Sequence, residues 1–177
     1  MQKLSMDELN RVTVEEFKKQ DKVPLVIVLD NIRSLNNIGS VFRTGDAFAI
    51  KAIYLCGITG TPPHKEIHKT ALGSTESVEW KYFENTSDAL DSLRTDGFLI
   101  YAIEQASGSI MLNEYSPDLE RSTALVFGNE VNGVDEKLFD KVNGVIEIPQ
   151  YGTKHSLNVA VSVGILVWHY ILTIKRK

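Results

Sequence analysis

The sequence predicts an α/β fold: a mostly parallel sheet flanked by helices. Three observations carry that prediction. Short, almost wholly apolar runs recur at residues 24–29, 52–56, 98–103, 124–127 and 145–148, as expected of strands covered on both faces. Helix-like segments separate most of these runs, and such alternation indicates parallel pairing through crossover helices. No repeat, low-complexity segment or linker divides the 177 residues, a length that suits one domain with a real core.

In chain order, residues 1–22 read as an N-terminal helical extension and residues 23–177 as a single domain. Residues 5–19 have an amphipathic pattern, with Ser5 as N-cap, Glu8 at the capping-box position, and Leu4, Leu9, Val12 and Phe17 on the docking side. The first central strand follows at 24–29. A helix is expected over 37–49, with Val41, Phe42, Phe48 and Ile50 as core candidates, and then the strand 52–56. Residues 64–72 form a short helix closed by Gly73, residues 78–83 an alternating and more exposed strand, and residues 86–94 a helix leaving through Asp96-Gly97. A mostly polar connection, 104–122, separates the strands 98–103 and 124–127. A helix over 134–141 leads to the strand 145–148, and the last helix runs from near Ser156 almost to the end.

Net charge is −4, whereas proteins that grip nucleic acid over a wide surface are usually basic. The positive residues are nevertheless clustered: Lys18, Lys19 and Lys22; His64, Lys65, His68 and Lys69; Lys154 and His155; and Lys175-Arg176-Lys177. No apolar run reaches the length of a membrane span, and the polar, acidic start is unlike a signal peptide. Cys56 is the only cysteine, so no internal disulfide can form; a buried strand end in a reducing cytoplasm fits it. His64 and His68 have i, i+4 spacing, but no neighbouring ligand set completes a metal site. The dinucleotide glycine fingerprint, the P-loop and the nucleophile elbow are all absent.

Three strand–loop–helix segments hold the chemistry-bearing residues. The first carries Asn37-Ile38-Gly39 and Arg43, the second Phe127-Gly128-Asn129-Glu130-Val131-Asn132-Gly133, and the third Ile148-Pro149-Gln150-Tyr151-Gly152 followed by Ser156-Leu157-Asn158. Polar groups at a helix start satisfy its free N–H groups and can also face a ligand, so Asn37, Ser156 and Asn158 are candidates for both roles. Arg43 has either a ligand or the carboxylates of Asp46 and Glu130 as partners, and Glu130 lies in a tight turn. Tyr151 and Trp168 read as packing or interface residues.

Taken together, over residues 24–172, the three motifs resemble the SpoU (TrmH) family of RNA ribose 2′-O-methyltransferases in the SPOUT superfamily. Two positions depart from the family pattern: Gln150 stands where methionine often follows the proline, and Gly45 where alanine commonly follows the Arg-Thr step. The resemblance implies a deep trefoil knot in the C-terminal part, with the loops 126–133, 147–152 and 155–158 holding S-adenosylmethionine. It implies cofactor contacts from Phe127, Gly128, Ile148, Pro149, Gly152 and Leu157, and catalytic roles for Arg43, Asn37, Glu130, Ser156 and Asn158. It further implies a homodimer acting on RNA, with transfer RNA the first candidate and ribosomal RNA the second. A catalytically idle RNA-binding or ribosome-assembly factor on the same fold, and an unrelated α/β enzyme of small molecules, are the alternatives.

Overall fold

The structure, a computed structural model, describes residues 3–4, 12–154 and 156–175. Its elements in chain order are α1 (Val14–Lys19), β1 (Val23–Asp30), α2 (Leu35–Ala47), β2 (Ile50–Cys56), α3 (Lys65–Ala71), α4 (Ser74–Ser77), β3 (Trp80–Phe83), α5 (Thr86–Thr95), β4 (Leu99–Ile103), β5 (Ile110–Met111), β6 (Thr123–Phe127), a 3-10 helix over Glu136–Lys141, β7 (Gly144–Glu147) and α6 (Val159–Lys175). The strands form one sheet in the order β3-β2-β1-β6-β4-β7-β5, and every pairing in it is parallel.

The apolar runs exist because both faces of this sheet are covered. Side chains alternate along β1. Leu25, Ile27 and Leu29 pack with Ile38, Val41 and Phe42 of α2 and with Val163, Val167 and Tyr170 of α6. Val26 and Val28 point the other way, toward Ala89, Leu90 and Leu93 of α5 and Leu138 of the 3-10 helix. Fully burying one such side chain is worth about 1.5–3 kcal/mol, so a charge anywhere in this interior would be costly. β3 is the edge strand next to β2, and its burial is correspondingly partial.

β1 and β6 are adjacent, paired from Leu25↔Thr123 to Leu29↔Phe127. The chain leaves β1 toward α2 on one face of the sheet and leaves β6 toward the 3-10 helix on the other. Diverging connections of this kind open a crevice beyond the carboxyl ends of the two strands, where open α/β sheets place their ligands.

Several sequence expectations change in detail. α1 is short and starts at a capping box formed by Thr13 and Glu16, in which the Thr13 hydroxyl accepts from the Glu16 N–H at 3.2 Å and the Glu16 carboxylate accepts from the Thr13 N–H at 2.8 Å. Ser5, Glu8 and Leu9 lie outside the described residues. Leu4 and Val12 are exposed, and Phe17 alone of the expected docking side chains is buried. α2 begins at Leu35, capped by Ser34 rather than Asn37. The expected helix over 134–141 is a short 3-10 segment with only Leu138 buried: Asp135 starts it and accepts from the Leu138 N–H at 2.9 Å. The connection 104–122 contains β5 and the buried Leu112 and Tyr115. α6 begins at Val159, later than Ser156. Cys56 is buried as expected, and desolvation pushes its thiol up to about 12, which leaves it no thiolate for chemistry.

Two departures from the family pattern or from ordinary helix composition have steric reasons. At Gly45, an added Cβ would meet the buried Ile50 side chain at 3.0 Å. At Gly39, it would lie 2.1 Å from Thr70 Oγ1 and 2.3 Å from the Ile67 carbonyl oxygen, because α3 crosses α2 there. The Thr70 hydroxyl also donates to the Asn36 carbonyl across this contact, at 3.0 Å. Alanine favours a helix over glycine by about 1 kcal/mol, whereas overpacking against fixed backbone costs about 1–3 kcal/mol or more. Gly39→Ala is therefore expected to lower the urea midpoint of unfolding despite its better helix propensity; an unchanged or raised midpoint would contradict this α2–α3 contact.

Candidate active site

The site begins with the chain leaving β1. Asn31 takes the left-handed conformation with φ 56°, which asparagine tolerates better than most residues. Its Oδ1 accepts from the Ile58 N–H at 3.1 Å, its Nδ2 donates to the buried Asp30 carboxylate at 2.8 Å, and its carbonyl accepts from Asn129 Nδ2 at 2.6 Å. The buried Thr59 hydroxyl donates to the Leu29 carbonyl at 3.0 Å and accepts from the Ile32 N–H at 2.9 Å. Asn31, Thr59 and Asn129 thus fasten three loops together at the strand ends. Sequence reasoning passed over all three; the one available signal was the Asp-Asn step at the end of an apolar run, a turn-forming composition.

The loop after β6 folds back on itself. Asn129 and Gly133 exchange backbone hydrogen bonds at 3.0 and 2.9 Å, and Asn129 Oδ1 accepts from the N–H groups of Val131 and Asn132 at 2.9 and 3.3 Å. A Cβ on Gly128 would fall 2.1 Å from the Gly133 carbonyl carbon and the Val134 nitrogen. The glycine expected to admit a ligand is therefore required first by the loop's own return. Gly133 has φ 68°, and the Glu104 carboxylate fills the space beside it while accepting from the Val134 N–H at 3.1 Å. This closed turn projects the side chain of Glu130.

Glu130 reaches across to the start of α2. Its carboxylate accepts from the backbone N–H groups of Arg33 and Ser34, each at 3.0 Å, and from Asn37 Nδ2 at 3.2 Å. Burial pushes the carboxyl upward, but N–H donation from Arg33, from its own backbone and from Ser34, with the Asn37 amide, outweighs it and holds Glu130 below the ordinary carboxyl value. Asn37, with its amide spent on Glu130, offers its Oδ1 to Asn158 Nδ2 at 3.0 Å. Asn158 in turn caps α6, its Oδ1 accepting from the N–H groups of Ala160 and Val161 at 2.9 and 3.4 Å. One residue from each of the three motifs is therefore joined in a single hydrogen-bonded chain.

Arg43 is on the same helix as Asn37, six residues on: about 9 Å further along the axis and a third of a turn round it. It is exposed, and its guanidinium has neither an ion-pair nor a hydrogen-bond partner among the described residues. The two carboxylates considered for it are engaged elsewhere, Asp46 with the Ser77 hydroxyl and Glu130 as above. Arg43 instead lines a cleft of about 490 Å³ with Ser40, Thr44, Phe48, Lys69 and Thr70. Two cations and three hydroxyls facing one cleft suit an anionic, oxygen-rich ligand.

The remaining candidates are dispersed. Ser156 is exposed and takes no part in the capping of α6. Phe127 is buried at the end of β6, Ile148 and Pro149 are half-buried, and Gly152 and Leu157 are exposed. None of these lines the Arg43 cleft. Among the described residues, 148–154, 156 and 157 make no backbone–backbone hydrogen bonds. His155 lies outside the described residues. Tyr151, expected to pack, is 96% exposed within the protomer.

Fold and site together define an α/β protein in which three loops, joined by hydrogen bonds, meet at a strand switch point, with no glycine-rich phosphate loop in the sequence. The sequence model of the SpoU rRNA methylase family matches residues 24–168, and the chain belongs to that family. It is 28% identical over 161 residues to a tRNA (guanosine(18)-2′-O)-methyltransferase of Thermus thermophilus, a match covering 91% of this chain and 81% of the relative. It is 28% identical over 159 residues to the 23S rRNA (guanosine-2′-O-)-methyltransferase RlmB of Neisseria meningitidis, covering 89% of this chain and 62% of that protein. The solved structure of an AdoMet-bound rRNA methyltransferase from Sinorhizobium meliloti superposes with a TM-score of 0.78 at 27% identity, covering 89% of this chain and 59% of that one. The chain thus spans less than two thirds of two of these three proteins.

The Glu130 contacts give a pH expectation. A carboxyl whose folded-state value is lowered stabilises the fold fully above its unfolded value, 4.5, and loses that contribution as the pH falls through the folded one. In Glu130→Gln an amide donor replaces one acceptor oxygen and faces an N–H, at a cost of about 1 kcal/mol for this partly exposed group. The stability gap between wild type and Glu130→Gln is expected to be present at neutral pH and to close in acid; a gap that is the same at both ends would rule out this account.

Proposed function

We propose that this protein transfers a methyl group to a ribose 2′-hydroxyl of RNA. The observation that carries the reading is the hydrogen-bonded chain Glu130–Asn37–Asn158, which draws the three motif segments to one place beside the helix that presents an unpaired Arg43. The relatives named above act on transfer and ribosomal RNA, and transfer RNA is the first substrate to test, ribosomal RNA the second.

S-adenosylmethionine would supply the methyl group. The strand end at Phe127-Gly128, the exposed Leu157 and the segment 148–157, which makes no backbone–backbone hydrogen bond among its described residues, would form a cradle for a ligand with a polar adenine edge and apolar ring faces. In this reading Ile148, Pro149 and Gly152 contribute backbone and Leu157 a side chain. The sheet order β1-β6-β4-β7, followed by the return of α6 onto α2, is compatible with the knotted path of the family.

The 2′-oxygen must lose its proton as it gains the methyl carbon. Arg43 does not take that proton, because a guanidinium stays protonated at ordinary pH. It binds the phosphate beside the target ribose and stabilises the developing alkoxide, while water or a phosphate oxygen accepts the proton. Asn37, Glu130 and Asn158 position α2, and Ser156, exposed before α6, would contact the ribose once RNA is bound.

The second copy in the proposed homodimer would sit on α6. Leu157, Val161 and Trp168 follow a spacing of i, i+4 and i+11 and are 39%, 51% and 51% exposed, and Trp168 touches the Phe48 ring, at 5.9 Å, beside the Arg43 cleft. A dimer through this stripe would place the two clefts near the interface.

Incubating the protein with labelled S-adenosylmethionine and RNA from a strain lacking its gene, then mapping the modified ribose, tests the activity directly. Cofactor binding with no methyl transfer to any cellular RNA would favour an idle RNA-binding factor. Arg43→Ala is expected to lower kcat by roughly 10²-fold or more while cofactor affinity stays put, and Arg43→Lys to recover only a part of it, since lysine keeps charge but loses the fork. Near-full activity in Arg43→Ala would remove the arginine from the mechanism. Trp168→Glu is expected to shift sedimentation from dimer to monomer; wild type sedimenting as a monomer would refute the dimer itself.

A further inference from the structure

A second cleft, of about 480 Å³, also borders α3. Its lining includes Pro63, His64, Lys65, His68, Glu76 and Trp80, none of which the proposed chemistry uses. A cavity of this size suits a small organic ligand. Its wall joins an aromatic ring and a proline to two potentially cationic side chains and one carboxylate.

Each group has a definable capacity. Trp80 is half-buried at the start of β3, so its ring is held by the sheet and still reachable. Lys65 and His68 are exposed on α3 and neither is ion-paired among the described residues. His64 Nδ1 accepts from the Glu66 N–H at 3.2 Å, which assigns the ring proton to Nε2 and makes that atom a donor. Glu76 is exposed and accepts no hydrogen bond among the described residues. An aromatic face, lysine and histidine donors and a carboxylate acceptor match, in that order, the face, the phosphate and the exocyclic amine of an unpaired nucleotide.

The position strengthens the match. α3 lines both clefts: Lys69 and Thr70 border the Arg43 cleft, and Lys65 and His68 border this one. A helix with its side chains is about 10–12 Å across, a distance that a few nucleotides of single strand span. On a chain of net charge −4, α3 carries one of the positive clusters, Lys65, His68 and Lys69, of which Lys69 is paired with Glu66 at 3.4 Å.

We propose that this second cleft binds an unpaired nucleotide flanking the methylated one, with its base on Trp80, its phosphate on Lys65 and His68, and its amino group on Glu76. The proposal rests on the reading of the substrate as RNA. It makes the cleft a specificity subsite: cytosine, with an exocyclic amine, is preferred there over uracil, which has none.

The test uses the full chain and fluorescently labelled oligocytidine and oligouridine, with an oligoaspartate peptide as a competing polyanion. Wild type is expected to bind oligocytidine more tightly than oligouridine. Trp80→Leu and Lys65→Ala are each expected to weaken both by roughly tenfold, and Lys65→Ala to reduce the salt slope by about one ionic contact. Glu76→Ala should erase the preference between the two bases. Because Trp80 also supports an edge strand, the exposed Lys65 and Glu76 variants decide the matter if Trp80→Leu folds poorly. Unchanged binding in Lys65→Ala with no cytosine preference in wild type, or tighter binding of oligoaspartate than of either RNA, would overturn the proposal. A chain that methylates RNA with an unchanged KM in Lys65→Ala and Glu76→Ala defeats this subsite alone. A chain that binds oligocytidine here and methylates nothing defeats the catalytic reading alone.

Discussion

The carboxylate of Glu130 is the fixed point of this structure. It sits on a loop leaving one face of the sheet and takes three hydrogen bonds from a helix start on the other. Two of those donors are backbone N–H groups at the head of α2, which have no partner within the helix. A single charged group therefore satisfies helix-end donors, sets the direction in which α2 leaves β1, and orients the Asn37 amide. Through Asn37 it also sets Asn158, and through Asn158 the start of α6. The crevice exists because these contacts hold three loops whose strands diverge.

That dependence explains why so many polar residues at the strand ends are engaged. Asn31, Thr59 and Asn129 satisfy backbone groups that no strand or helix can reach, and the buried Asp30 is held by Asn31 and the Thr86 hydroxyl. Arg43 is the exception. Its guanidinium has no ion-pair or hydrogen-bond partner among the described residues and stands among hydroxyls beside Lys69. The contrast separates the groups that build the site from the group that would act in it.

α3 deserves a place in the same picture. Its contact with α2 is tight enough to require glycine at position 39, so the two helices behave as one rigid unit. Its side chains line both clefts, and any strand of RNA lying over α3 would meet both. Substrate position relative to Arg43 would then be governed by a helix contact formed in the core.

Much of the architecture was legible in the residues themselves. Runs such as 24–29 and 124–127 are apolar at every position because both sheet faces are covered, and that local pattern is enough to predict parallel strands and their order along the chain. Boundaries were less legible: of the expected caps Asn158 does cap α6, but Ser156 does not, and Ser34 rather than Asn37 caps α2, since several polar residues in each loop are equally good caps and long-range contacts choose among them. The motifs, through the family resemblance, marked Asn37, Arg43, Glu130, Ser156 and Asn158 as a set. Only the tertiary structure decided which of them touch, that Gly128 is needed by its own loop, that Arg43 is left unpaired, and that Trp80 joins Lys65 and Glu76 in one cleft. The reason is physical: periodicity and propensity act over a few neighbouring residues, whereas hydrogen-bond partners separated by about a hundred positions are chosen by the order in which strands lie in the sheet.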